Sequence, residues 1–310
     1  MKKLPGDLIT FKLKPNRNGE NIATLYVHPQ EAQTHNAVLY IHGFNDYFFQ
    51  EHMADRFSSW GIRFFALDLR RYGRSLQSHQ KPNATHDLSE YFEEITLALD
   101  HIEKAGYSKI ILLGHSTGGL ISAAYCTQFS NRVKLQALIL NSPFLSFNLN
   151  ALSRLMLPLI ACLGHFFPNL PSPAGLKSGY GQSVHHQYFG EWDFDLKIKP
   201  IEGYKVDLGW VSAIYRTQRK VRHRKIQLPV LVMHAEKSVA PGDFTEEMKT
   251  ADSVLNVQDI HRLARKLGTD ITTRIIANGM HDLVLSNEKA REDTFSTMEN
   301  FVRQRTHLFT

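Results

Sequence analysis

One short segment restricts the folds open to this chain more than any other: "KIILLGHSTGG", residues 109–119. Its four consecutive apolar residues, 110–113, read as a strand covered on both faces, the habit of parallel sheets. Gly114, Gly118 and Gly119 then crowd around Ser116, and the spacing turns helical. A strand that becomes a helix through a glycine-flanked serine holds the hydroxyl on a tight turn above the sheet, at G-x-S-x-G spacing. Gly114 and Gly118 carry no side chains to crowd that turn, and Gly119 lets the helix pack closely. The first N–H groups of such a helix lack intrahelical acceptors, so the Thr117 amide is free to face a developing negative charge.

The remaining chain supplies a sheet for this turn. Strands are expected at 21–28, 37–41, 62–69, 135–141, 228–234 and 270–279, from apolar runs bounded by turn residues. Leu88, Phe92, Ile95, Leu99 and Ile102 recur at steps of four and three, which predicts a helix over 88–105, capped by Asp87 and stopped by Gly106. Further helices are expected at 51–61, 118–129, 257–267 and 289–306. Alternation fails only between 145 and 224, about 80 residues of mixed helical pieces rich in aromatic residues, Gly and Pro. The expected class is therefore α/β, with a mostly parallel sheet, helices on both faces and one helical insertion.

A serine hydroxyl needs an oriented base to act as a nucleophile. His281, in "NGMHDLVLS" just after the last strand, falls on a loop at the same sheet edge as Ser116 and is the expected base. "YIHGFND" follows the second of these strands; there Gly43 permits close approach and the Phe44 amide can provide a second oxyanion donor beside Thr117. The orienting acid should follow strand 228–234, where Glu236, Asp243, Glu246, Glu247, Asp252 and Asp259 all stand. Asp252, on a loop just before a helix, is preferred, with Asp243 as its main competitor. His42 and His115 are read as structural, and His185–His186 as a pair that no further ligand spacing completes into a metal site.

Composition narrows the class further. The net charge of +6 is concentrated in "RTQRKVRHRK", residues 216–225, with six Lys/Arg in ten positions. Without a zinc-finger or RNA-recognition pattern, this reads as a solvated helix face; no nucleic-acid partner is expected, and weak attraction to an anionic lipid surface or substrate is the intermediate expectation. The two cysteines, Cys126 and Cys162, form no CxxC unit and are assigned to core packing. No apolar run reaches the length of a membrane span, and the first residues carry no signal-peptide core, so a cytoplasmic location is expected.

Taken together, "YIHGFND", "FFALDLRRYGRS", "LLGHSTGGL", "LILNSPF", "PVLVMHAEK" and "GMHDLVL" resemble the α/β-hydrolase superfamily, in its serine aminopeptidase S33 and lysophospholipase–monoacylglycerol lipase-like group. The resemblance implies that 1–144 and 225–310 form the core and that 145–224 is a lid. It also implies a Ser116–His281–Asp252 triad and no metal or other cofactor. Two departures stand out. The family's Asp-x-Arg-Gly-His-Gly-x-Ser string appears as Asp68 to Ser75 with Arg71 and Tyr72 substituted, and its Gly-x-x-Asp string after the strand appears as Ala235-Glu236-Lys237-Ser238. A 13-residue insertion, 239–251, that displaces the acid to Asp252 along the sequence while keeping it in space accounts for the second.

The expected reaction is hydrolysis of a carboxylic ester through an acyl-enzyme, on a monoglyceride, lysophospholipid or other small-molecule or lipid acyl ester. The apolar start of the insertion suits an acyl channel and suits lid packing equally. A serine aminopeptidase or amidase would need carboxylates near the scissile bond, with Glu191, Asp193, Asp195 and Glu202 as candidates. A non-catalytic binding protein of the same fold would require that no acid reach His281.

Overall fold

A computed structural model describes residues 4–16, 19–30, 33–129 and 134–306. The strands are β1 (Asp7–Asn16), β2 (Gly19–Val27), β3 (Asn36–Ile41), β4 (Arg63–Asp68), β5 (Lys109–His115), β6 (Leu135–Asn141), β7 (Val230–Ala235) and β8 (Ile271–Ile276). The helices are α1 (Glu51–Ser59), α2 (Phe92–Lys104), α3 (Ser116–Gln128), α4 (Ala151–Phe166), α5 (Ser178–Val184), α6 (Leu208–His223), α7 (Val257–Ala264) and α8 (Glu288–Arg305).

All eight strands form one sheet in the order β1-β2-β4-β3-β5-β6-β7-β8. β2 pairs antiparallel with β1 and β4, and every later pairing is parallel. Side chains alternate across it with the period of two that strands impose. Leu39, Leu112, Leu138 and Val232 pack on one face with Ile95, Leu99 and Ile214 from α2 and α6. Val38, Ile111, Ile139 and Leu231 pack on the other with Phe57, Phe295 and Met298 from α1 and α8. Burial on both faces explains the unbroken apolar runs of the central strands.

The helix expected over 88–105 divides into a 3₁₀ turn (Leu88–Tyr91) and α2, with Asp87 accepting from the Ser89 amide at 3.0 Å and Gly106 at φ +97°. β1 was not anticipated. It is an edge strand with mostly exposed residues and lysines at 12 and 14, so it lacks the apolar run that marks the central strands. Cys126 is buried as expected, but Cys162 is exposed on α4, a correction to its assignment as a core residue.

Helices α4, α5 and α6 all lie between β6 and β7. Because the central strands run parallel, the loops after β3, β5, β6, β7 and β8 open at one edge of the sheet. That is where parallel sheets hold their ligands.

Candidate active site

Ser116 begins α3 immediately after β5. Its φ is +52°, a conformation that costs a non-glycine residue roughly 1–3 kcal/mol and that only surrounding structure can impose. The glycines provide that structure. A Cβ on Gly114 would lie 2.7 Å from the Gly118 carbonyl oxygen, and one on Gly118 would lie 2.2 Å from the His42 carbonyl oxygen. Gly43 approaches from the loop after β3, where a Cβ would lie 3.2 Å from that of Ser116. The turn that carries Ser116 is thereby held close against the end of β3 and the loop that follows it. The Phe144 amide, after β6, donates to the Ser116 carbonyl at 3.0 Å.

His281, on the loop after β8, accepts the Ser116 hydroxyl at Nε2, 3.0 Å away. Its Nδ1 donates to Oδ2 of Asp252 at 2.9 Å. The other carboxylate oxygen, Oδ1, accepts from the Val254 and Leu255 amides at 2.8 and 2.7 Å, which fixes the plane of the group. Ser116, Asp252 and His281 are all buried. The ring edge of Tyr180 meets His281 with centroids 5.5 Å apart, and His115 lies 5.0 Å away. Burial lowers the His115 pKa below the ordinary 6.5, so that neighbour stays neutral.

Asp252 reaches this position by a detour. Ser238 and Asp252 form a parallel bridge; the Asp252 amide donates to Lys237 O at 2.9 Å and the Val239 amide to Asp252 O at 3.0 Å. Residues 239–251 thus leave the sheet edge and return to the same point. Ser238 has a different task there: its hydroxyl donates to Leu255 O and accepts from the Val257 amide, both at 2.9 Å, at the start of α7. The competing acids lie elsewhere. Asp243, Glu236, Glu246 and Glu247 are exposed, and Asp259 binds Arg154 and Arg262.

A cavity of about 250 Å³ opens over Ser116 and His281. Phe44 and Thr117 both line it, as do Phe144, Phe147, Leu149, Leu176 and Trp210. Its polar wall contains Asp46 and Lys199, buried and paired at 2.6 Å. Glu191, Asp193, Asp195 and Glu202 do not line it. The reading that nothing further completes the His185–His186 pair needs correcting: Asp193 brings its carboxylate to within 4.8 Å of both rings, while His185 also bonds Phe194 O and the Gln187 amide.

The substituted string after β4 braces the loop after β3. Asp68 accepts from the Phe48 amide and from Arg74, and the Leu69 amide donates to His42 Nε2 at 3.1 Å. Arg71 stands at φ +66° where the family pattern has glycine; Glu90 pairs with its guanidinium and the Asn83 amide donates to its carbonyl. Asp282 escaped sequence reasoning, as did the Asp46–Lys199 pair in the cavity wall. Asp282, buried beside His281, accepts from Asn141 at 2.7 Å and from Gln50 at 3.3 Å, tying the histidine loop to β6 and to the start of α1. Those partners are 141 and 232 positions away, a separation no local pattern reveals.

Residues 32–290 match the family described as serine aminopeptidase, S33. Among solved structures, a soluble variant of monoglyceride lipase from Saccharomyces cerevisiae in complex with a substrate analog superposes with a TM-score of 0.72 at 17% identity, covering 98% of this chain and 96% of that one. The monoacylglycerol lipase of Paleococcus ferrophilus gives 0.62 at 16% identity, covering 97% and 100%. Est1E from Butyrivibrio proteoclasticus with ferulic acid bound gives 0.60 at 18%, covering 92% and 96%. At such identities the likeness is one of fold. Epoxide hydrolase 3 of Xenopus tropicalis is 31% identical over 109 residues, a match that spans 34% of this chain and only 27% of that protein.

Proposed function

The chain belongs to the serine aminopeptidase S33 family of α/β-hydrolases, and from that premise we propose that it is a serine hydrolase of carboxylic esters acting through an acyl-enzyme. The observation that carries the reading is the continuous relay Asp252–His281–Ser116, at 2.9 and 3.0 Å, with Ser116 and His281 lining an open, largely apolar cavity.

In this reading His281 takes the proton as Ser116 Oγ attacks the substrate carbonyl. The amides of Phe44 and Thr117 receive the oxyanion; preorganised donors of this kind contribute about 10²–10³ in rate each. Asp252 holds the imidazole with its proton on Nδ1 and stabilises the imidazolium. His281 then protonates the departing alcohol and, in the second half, activates water to release the acid. Residues 145–224 form the lid over this chemistry, and 1–144 with 225–310 form the core.

The lining supports an acyl ester over an amine-bearing peptide. Phe144, Phe147, Leu149, Leu176 and Trp210 offer an apolar wall for a hydrocarbon chain. An aminopeptidase needs a carboxylate for the substrate's amino group. Asp46 is the acid among the lining residues, and Lys199 already neutralises it at 2.6 Å. A monoglyceride, lysophospholipid or similar acyl ester is therefore the proposed substrate class. The hydrogen bond from His281 to Asp252 weighs against a non-catalytic binding protein of this fold.

A substrate panel tests the proposal: p-nitrophenyl esters of rising chain length, a monoglyceride, a lysophospholipid and an aminoacyl amide. Turnover should rise with chain length and exceed that of the amide. Preference for the amide with a free amine would transfer the reading to an aminopeptidase, and confinement to the shortest esters would remove the lipid class.

A further inference from the structure

At the far edge of the sheet a second cavity, of about 240 Å³, opens between β8 and α8. Its lining shares no residue with the cavity over Ser116. The paired residues Leu231 and Thr272 in its wall stand near the starts of β7 and β8, at the opposite end from the catalytic loops. Two elements place polar side chains here against the rule of their periods. On one face of β8 the residues alternate as Thr272, Arg274 and Ile276, and of these only Ile276 joins the core shared with α8. α8 buries Phe295, Met298 and Val302, yet the stripe it turns to the groove is Thr297, Asn300 and Gln304, at steps of three and four. Leu231 and Phe301, both buried, supply an apolar floor.

The charge of this groove has one sign. Arg274 and Arg305 bring guanidiniums to it, and none of the described lining residues is acidic. Arg305 pairs with Asp270, which offsets one of the two. Among the described residues Arg274 has no ion pair or hydrogen bond, and the side chains of Thr272, Thr297, Asn300 and Gln304 make none either. The groove therefore offers one uncompensated positive charge, two amides and two hydroxyls above a hydrocarbon floor. A guanidinium presents parallel N–H groups that match a carboxylate, and amides and hydroxyls can donate to the lone pairs left over. A phosphate monoester brings about two negative charges at neutral pH, one more than the free guanidinium balances. Drug-sized ligands fill roughly 300–1,000 Å³, so the occupant of this groove is smaller.

We propose that the groove between β8 and α8 is a binding site for a small carboxylate with a short apolar body, its oxygens on Arg274 and its hydrocarbon on Leu231 and Phe301. Asn300 and Gln304 close over the carboxylate from α8. The site stands on the groove alone, whether or not Ser116 acts as a nucleophile.

Isothermal titration calorimetry of the full chain with benzoate, benzamide and phenyl phosphate tests it. Benzoate should bind with an affinity that falls as salt rises. Benzamide, of similar shape but uncharged, should bind roughly tenfold or more weakly. Arg274→Gln and Gln304→Glu should each weaken benzoate binding roughly tenfold or more. Both side chains are exposed, so urea midpoints and hydrolysis of a short soluble ester should stay at parental values. A parent that ignores benzoate overturns the proposal. So do variants that bind benzoate like the parent, which would place the ligand elsewhere, as in the cavity over Ser116. Tighter binding of phenyl phosphate than of benzoate would overturn the choice of a carboxylate. A chain without esterase activity can still bind benzoate here, so this site and the hydrolase reading fail separately.

Discussion

At the scale of single residues, the departure from the family pattern concerns which residue is the acid. Ser238 stands where the family's aspartate would, and its hydroxyl is spent on Leu255 and Val257. Asp252 holds the position in space. Because Oδ1 is fixed by two amides, an asparagine there must turn its NH₂ toward His281 and force the wrong tautomer. Asp252→Asn should lower kcat by on the order of 10⁴, with Asp243→Asn at the parental rate. The opposite pattern would assign the acid role to Asp243. Gly43→Ala makes a subtler change. Its Cβ would stand 3.1 Å from the His115 ring and 3.2 Å from Ser116 Cβ, tight but short of collision. It should lower kcat with little change in melting temperature, whereas Gly118→Ala, at 2.2 Å from a backbone oxygen, should destabilise the fold by at least about 1–3 kcal/mol in urea. Ser116 and His281 were legible because their neighbours in sequence announce them. Asp252 was legible because Asp252-Ser253-Val254-Leu255 keeps the family's sequel to the acid. Asp282 was not, since its meaning lies in Asn141 and Gln50.

Among the elements, the central strands and flanking helices were read from periodicity, since burial on two faces leaves unbroken apolar runs. The segment between β6 and β7 was not, because its parts pack by unlike rules. Residues 192–201 are stitched to the core: Tyr47 accepts from the Asp195 amide at 2.8 Å, Lys199 pairs with Asp46, and Trp192 donates to Leu285 O at 2.7 Å. α4 instead leaves its apolar surface outward. The 239–251 excursion adds a strap. The Gly179 amide of α5 donates to Gly242 O at 3.0 Å, and Phe244 stacks on Phe189 with centroids 3.9 Å apart. α5 also carries Tyr180, which meets His281 edge-on, so the strap that brings Asp252 to His281 also steadies the wall above that ring. Phe244→Ala should raise KM for long-chain esters while leaving kcat for a short soluble ester near the parental value. Steady-state kinetics on the two substrates would detect the contrary, a uniform fall in kcat, which would make Phe244 part of the catalytic support.

For the molecule as a whole, burial of histidines makes stability fall on acidification. Burial lowers His28, His52, His115 and His234 below the ordinary value of 6.5. The unfolded chain takes up protons as pH falls through 6.5, and the folded chain resists. The stability contributed by keeping these rings neutral is therefore present above 6.5 and lost progressively below it. Urea midpoints measured about one unit above and about one unit below 6.5 should fall on acidification; equal midpoints would show that these rings protonate freely in the fold. The central claim is that five loops at one edge of a parallel sheet assemble a working relay on Ser116. Stopped-flow hydrolysis of a p-nitrophenyl ester, joined to the intact mass of the quenched protein, tests it most directly. The relay predicts a burst of about one p-nitrophenol per chain, with the acyl mass localised to Ser116 and both signals absent in Ser116→Ala. A Ser116→Ala protein with the same burst, or an acyl group found on another residue, would contradict it.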